Sequence, residues 1–95
     1  MLKSFADKDS ENIFHGIYTH SIRKRIPLNV LITARRRLDI LNIIHTPETL
    51  LQLPAIQPEA AVRDCHGKYS IPLDGNWRIA FRWNGENAED VEIRS

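Results

Sequence analysis

The sequence predicts a small α+β domain, an antiparallel sheet with helices packed on one of its faces. Three observations carry that expectation. Apolar residues in the first half recur at helical spacing, above all between Pro27 and Ile44, whereas from about Ala60 they alternate with polar ones as in half-buried strands. Two dipeptides, Asp74-Gly75 and Asn84-Gly85, sit between the alternating runs, where hairpin turns belong. With 95 residues, 42% hydrophobic and 26% charged, the chain can build one core and has no bias towards disorder, so a single domain over 1–95 is expected.

Leu2 to Phe5 reads as a short opening strand. Asp7 then starts a polar helix running to about His15, with Asp7 or Ser10 as N-cap and Gly16 as its stop. Residues 17–26 read as a loop or frayed turn. Pro27 suits the first turn of a long helix reaching Ile44, because the amide proton it lacks would be unpaired there. Projected around that helix, Val30, Leu31, Ala34, Leu38 and Leu41 share one stripe and face the core. Ile32, Ile40 and Ile43 fall near the opposite side, with Arg36 among them. A helix with two apolar sides is either sandwiched within its own domain or offers one side to a partner. Thr46-Pro47-Glu48 resembles a further helix start leading into Leu50, Leu51 and Leu53, and Pro54 and Pro58 bracket an irregular stretch.

Tyr69, Ile71 and Leu73 form one side of a strand; Trp77, Ile79, Phe81 and Trp83 form one side of the next; Val91 and Ile93 mark a closing strand. A two-residue loop at Asp74-Gly75 would set Ile71 against Arg78 and mix the faces. A loop that includes Asn76 pairs Leu73 with Trp77, Ile71 with Ile79 and Tyr69 with Phe81. That register leaves Lys68, Ser70, Arg78 and Arg82 together on the other side, so the sheet has an apolar face for the helices and a basic face. The same rule adds Asp90 and Glu92 to the basic side, where the charges either bridge across strands or meet a ligand.

The net charge of +1 hides a polarised chain: residues 1–45 hold eight Lys or Arg and four acids, residues 46–95 five and eight. Six cations and no acid lie between His20 and Arg37, a footprint for a polyanion or else a solvated helix face. No apolar run approaches the roughly 18 residues of a membrane span, and an acid interrupts the start before any apolar stretch of signal length, so a cytoplasmic address is expected. Cys65 has no second cysteine to pair with. His15, His20, His45 and His66 are scattered without metal-binding spacing, and phosphate loops and nucleophile elbows are absent, so neither metal nor cofactor is expected. Cleavage of RNA by its own 2′-hydroxyl needs neither: it needs proton transfer and a cation for the crowded phosphorane, and Arg78 suits the second task.

The run Gly67 to Trp83, and within it Asp74-Gly-Asn-Trp-Arg-Ile-Ala-Phe81, resembles the plasmid-maintenance killer proteins, the HigB-like branch of the RelE superfamily of bacterial toxins. The similarity extends to Met1–Phe5 as the opening strand, Ala34–Leu41 in the long helix and Asp90-Val-Glu-Ile93 in the closing strand. It implies a RelE-like two-layer fold and a ribosome-dependent mRNA endonuclease, bound in the decoding site and restrained by a small helix-turn-helix antitoxin. Operator DNA would be met only through that antitoxin. By resemblance Asn76 contacts RNA and Arg78 stabilises phosphate charge; Lys68, Arg82 and Arg63 are further cations for RNA, and Arg36, Ile40 and Ile43 are expected to meet the antitoxin. The family's upstream histidine and lysine align with Glu59 and Val62, and Arg63 substitutes only if the register slips. Its closing Asp-Tyr-His aligns with Ser95 alone, so impaired cleavage is expected, and the alternative is a non-catalytic module that pairs with the antitoxin in operator autoregulation. Gyrase poisoning, the activity of a sister branch, is a third option.

Overall fold

In a computed structural model of the chain, the structure describes residues 1–44, 62–63 and 68–95. The expected helix start at Thr46-Pro47-Glu48, the stretch between Pro54 and Pro58, and His45, Glu59, Cys65 and His66 lie outside the described residues.

Helix α1 spans Lys8–Phe14. Asp7 is its N-cap, its Oδ1 accepting from the Ser10 amide at 2.7 Å. The helix closes as a glycine permits: Gly16 has φ +74°, the Gly16 amide donates to Ile13 O at 3.0 Å and the Ile17 amide to Asn12 O at 2.8 Å. Where a loop is expected over 17–26, the chain forms helix α2, His20–Arg25. Thr19 caps it by accepting from the Ile22 amide at 3.3 Å, and Ile22 and Ile26, one turn apart, are both buried. Two apolar anchors and a cap suffice for six residues, although four exposed basic or imidazole side chains, His20, Arg23, Lys24 and Arg25, obscure that pattern in the sequence.

Helix α3 spans Leu28–Ile43, with Pro27 at the N-cap position. Its buried residues are Val30, Leu31, Ala34, Leu38 and Leu41, the predicted stripe. The opposite side is not sandwiched throughout. Ile40 packs partly buried against the core, whereas Ile32 is 42% exposed and Ile43 72%.

Four strands, β1 (Val62–Arg63), β2 (Lys68–Pro72), β3 (Arg78–Asn84) and β4 (Asn87–Arg94), form an antiparallel sheet in the order β1-β2-β3-β4. The β2–β3 register pairs Tyr69 with Phe81 and Ile71 with Ile79, and the Leu73 amide donates to Trp77 O at 2.8 Å around the Asp74–Asn76 loop. This is the expected three-residue connection. The β3–β4 turn is Gly85-Glu86, with Gly85 at φ +65° and Asn84 paired to Asn87.

A bulge then displaces Asp90 from its expected place on the basic side. Ala80 pairs with Glu92 but Arg82 with Glu89, so the extra residue, Asp90, takes φ +52° and Glu89 stands opposite Arg82. The bulge also shapes the opening segment. Instead of a regular strand, Leu2 and Phe5 make two parallel bridges to Ala88 and Val91, and Ser4 Oγ accepts from the displaced Asp90 amide at 2.9 Å. The segment thereby covers the free edge of β4.

The inner sheet face meets α1, α2 and α3 in one buried cluster, with the Tyr69 and Phe81 rings stacked at 5.4 Å. Trp77, expected within this core beside Ile79 and Phe81, packs only partly buried against its rim, because it follows directly on the turn. Among the described residues no helix is long and apolar enough to cross a membrane.

Candidate nucleic-acid interface

The face of the sheet turned away from the helices carries the predicted polar residues. Lys68 stands opposite Arg82, Ser70 opposite Ala80 and Pro72 opposite Arg78. Strand alternation puts these side chains on one side, and the stacked Tyr69 and Phe81 anchor the same two strands from beneath. Arg78 reaches diagonally across the pair. Its Nε donates to Ser70 Oγ and its Nη2 to Ser70 O at 2.9 Å, so a rigid strand fixes the guanidinium plane. An arginine so held presents charge without losing rotamer entropy each time it meets a ligand.

Beside it lies an open pocket of about 310 Å³ lined by Lys68, Tyr69, Ser70, Arg78, Ala80, Arg94 and Ser95. That volume is at the lower end of ligand pockets, which run from about 300 to 1,000 Å³. The described side chains of the lining are cationic, hydroxyl-bearing or apolar, and none is a carboxylate or an imidazole. Among the described residues no three His, Cys, Asp or Glu side chains gather as metal ligands.

The predicted site residues fall into groups. Lys68 and Arg78 share the pocket; Arg82, opposite Lys68, is exposed beyond its lining. Asn76 is exposed in the β2–β3 turn, two residues before Arg78 and outside the pocket. The turn itself is clamped to α3, since Asp74 Oδ2 accepts from Asn29 Nδ2 and Thr33 Oγ1, both at 3.1 Å. In the β1–β2 register Val62 stands opposite Ser70 and Arg63 opposite Tyr69, so Arg63 is not brought to the strand position across from Ser70.

The residues expected to meet a protein partner are also divided. Arg36 lines a groove of about 290 Å³ on α3 with Tyr18, Ile32, Arg35 and Asp39. Ile43 lies at the other end of the helix, in a hollow shared with Met1, Asn42, Ile44, Glu86 and Asn87. Ile40 turns inward between them. Arg35 is the groove's other arginine, close enough to Gly16 that a Cβ there would sit 2.9 Å from its Nη1. The run of six cations is partly compensated in space, because Arg25 pairs with Asp9 at 3.0 Å and Asp39 faces the groove.

Two residues of the site escape the sequence-level reading. Asp74 reads as turn chemistry, and nothing local announces that its carboxylate also holds α3. Arg94 was legible in principle: continuing the alternation two residues past Glu92 puts it on the basic side, opposite Arg78. The sequence matches no protein-family model and no curated protein.

Proposed function

We propose that this chain is a cytoplasmic RNA-cleaving toxin of the HigB-like branch of the RelE superfamily, acting on mRNA in the ribosomal decoding site and restrained by a small helix-turn-helix antitoxin. The observation that carries the reading is Arg78, braced by two hydrogen bonds to Ser70 on the wall of a cationic pocket. A metal-free endoribonuclease needs such a group: attack of the 2′-hydroxyl on its neighbouring phosphorus builds negative charge that a preorganised guanidinium stabilises. In this reading Asn76 holds the RNA at the turn, while Lys68 and Arg82 meet backbone phosphates along the strands.

A specific observation also supports a second reading, a non-catalytic module that pairs with its antitoxin and adjusts operator binding. On α3, Ile32 and Ile43 are exposed and Arg35 and Arg36 line the groove beside Ile32, so the helix combines apolar area with charge as partner surfaces do. The test is mRNA cleavage by programmed ribosomes. Cleavage that depends on Arg78 supports the nuclease; antitoxin binding without any cleavage supports the module.

A further inference from the structure

We propose that the α3 groove is the docking site for an acidic amphipathic helix of a protein partner, with Arg35 taking one of its carboxylates. The groove, about 290 Å³ in volume, is lined by Tyr18, Ile32, Arg35, Arg36 and Asp39, so apolar and cationic side chains meet in one hollow. Ile32 is 42% exposed, and Leu28, one turn before it on α3, is 64% exposed. Arg35, Arg36 and Asp39 continue that exposed row over the next two turns. From Leu28 to Asp39 it runs about 16 Å, the length of a three-turn helix laid alongside.

Two features set this row apart from a solvated helix face. Arg35 is seated: its guanidinium lies over Gly16, where a Cβ would stand 2.9 Å from Nη1, 3.0 Å from Cζ and 3.2 Å from Nη2. The glycine that ends α1 thus leaves room for the arginine, which reaches the groove already placed. The charge is also open to a partner. Neither Arg35 nor Arg36 has a hydrogen-bond or ion-pair partner among the described residues, although Asp39 is one turn on from both, whereas Arg25 is paired to Asp9 at 3.0 Å. Guanidinium groups beside an exposed isoleucine fit a carboxylate next to an aliphatic side chain, and an amphipathic helix carries the two one turn apart. A nucleic acid fits less well: its phosphates would meet the Asp39 carboxylate and leave Leu28 and Ile32 uncovered. In the proposed function this partner is the antitoxin, and only that name rests on that reading.

The probe is a dye-labelled synthetic three-turn helix with leucine and glutamate one turn apart on one face, compared with a counterpart carrying glutamine for glutamate and with oligouridylate. Fluorescence anisotropy and thermal melting are read for the parent chain, Arg35→Gln, Ile32→Ser and Asp39→Asn. The parent should bind the acidic peptide about tenfold more tightly than the neutral one. Arg35→Gln should lose about tenfold, the loss of one charge-assisted contact, and Ile32→Ser about fivefold. Asp39→Asn should bind more tightly, because it removes a like charge from the partner's path. All three substitutions are at exposed positions and should melt within about 4 °C of the parent. Absence of binding, equal affinity for the two peptides, or unchanged affinity in Arg35→Gln overturns the proposal. Oligouridylate that displaces the peptide, and binds Ile32→Ser as well as the parent, overturns it in favour of a nucleic-acid surface. Neither ribosomes, cleavage nor the antitoxin enter this experiment, so failure here leaves an Arg78-dependent nuclease standing, and absence of cleavage leaves this binding result standing.

Discussion

Phe81→Ala and Trp77→Ala, measured side by side, locate the centre of the core. Phe81 is 1% exposed, lies in the middle of the central β3 strand and stacks on Tyr69 with rings 5.4 Å apart and 10° from parallel. Truncating a fully buried phenylalanine costs about 3–5 kcal/mol, the lost transfer energy plus the cavity left behind. Loss of the ring pair accounts for about 0.5–1.5 kcal/mol beyond burial. Trp77 is only partly buried at the rim, so it recovers a fraction of what a buried aromatic would, and its removal should cost about 1–2 kcal/mol. A domain of this length has about 5–14 kcal/mol in total. Phe81→Ala should therefore leave a marginal protein and Trp77→Ala a sound one. Urea unfolding followed by far-ultraviolet circular dichroism avoids relying on tryptophan emission. With a slope near 1.5 kcal/mol per molar, the midpoint should fall by about 2 M or more for Phe81→Ala and about 1 M for Trp77→Ala. Equal shifts, or the reverse order, would refute the assignment of Phe81 to the core and Trp77 to its rim.

Other perturbations address the parts that hold and surround the site. Asp74→Ala should cost about 1–2 kcal/mol by releasing the β2–β3 turn from α3, and Thr33→Ala should add little on top of it, because the two share one contact; full additivity in urea unfolding would contradict the clamp. The hydrogen bond and charge of Lys8, 2.7 Å away, hold the Glu11 carboxyl below the usual carboxylate range. A depressed folded-state value means the contribution is present above the unfolded value of about 4.3 and lost as pH falls through the folded one. The stability difference between the parent and Glu11→Gln, small because the pair is exposed, should thus shrink on acidification; a widening gap would contradict it. Under the proposed function, Arg36→Glu should weaken binding of the proposed helix-turn-helix antitoxin, read by calorimetry, while the melting temperature of the isolated chain stays put. Unchanged affinity would remove the α3 groove from the interface.

What was legible in the sequence followed from periodicity and turn chemistry. The buried stripe of α3 is set by a helical repeat that no other force overrides. The β2–β3 register is set because only one alignment keeps Tyr69, Ile71, Ile79 and Phe81 on a single face. What was not legible depends on contacts between distant segments. Helix α2 forms because Ile22 and Ile26 find a core assembled elsewhere, and its exposed charges mask the pattern. The Asp90 bulge is supported by Ser4, 86 residues away, so strict alternation carried through it misplaces Asp90 and misses Glu89. Within the site, Lys68 and Arg78 were legible because strand alternation alone gathers them. The bracing of Arg78 by Ser70, and its place opposite Arg94, required the registers of the β2–β3 and β3–β4 hairpins.

In the proposed function, the Arg78 face cuts RNA through the RNA's own 2′-hydroxyl. Its most direct test is cleavage of mRNA on programmed ribosomes, using normal message and message with a 2′-deoxynucleotide at the cut position, with the parent chain and Arg78→Ala. Cutting of the normal message only is expected, with products ending in a 2′,3′-cyclic phosphate and a loss of about 10²-fold or more in Arg78→Ala, the usual cost of removing a preorganised charge-stabilising group. Equal cutting of the deoxy-substituted message, or full activity without Arg78, would contradict it.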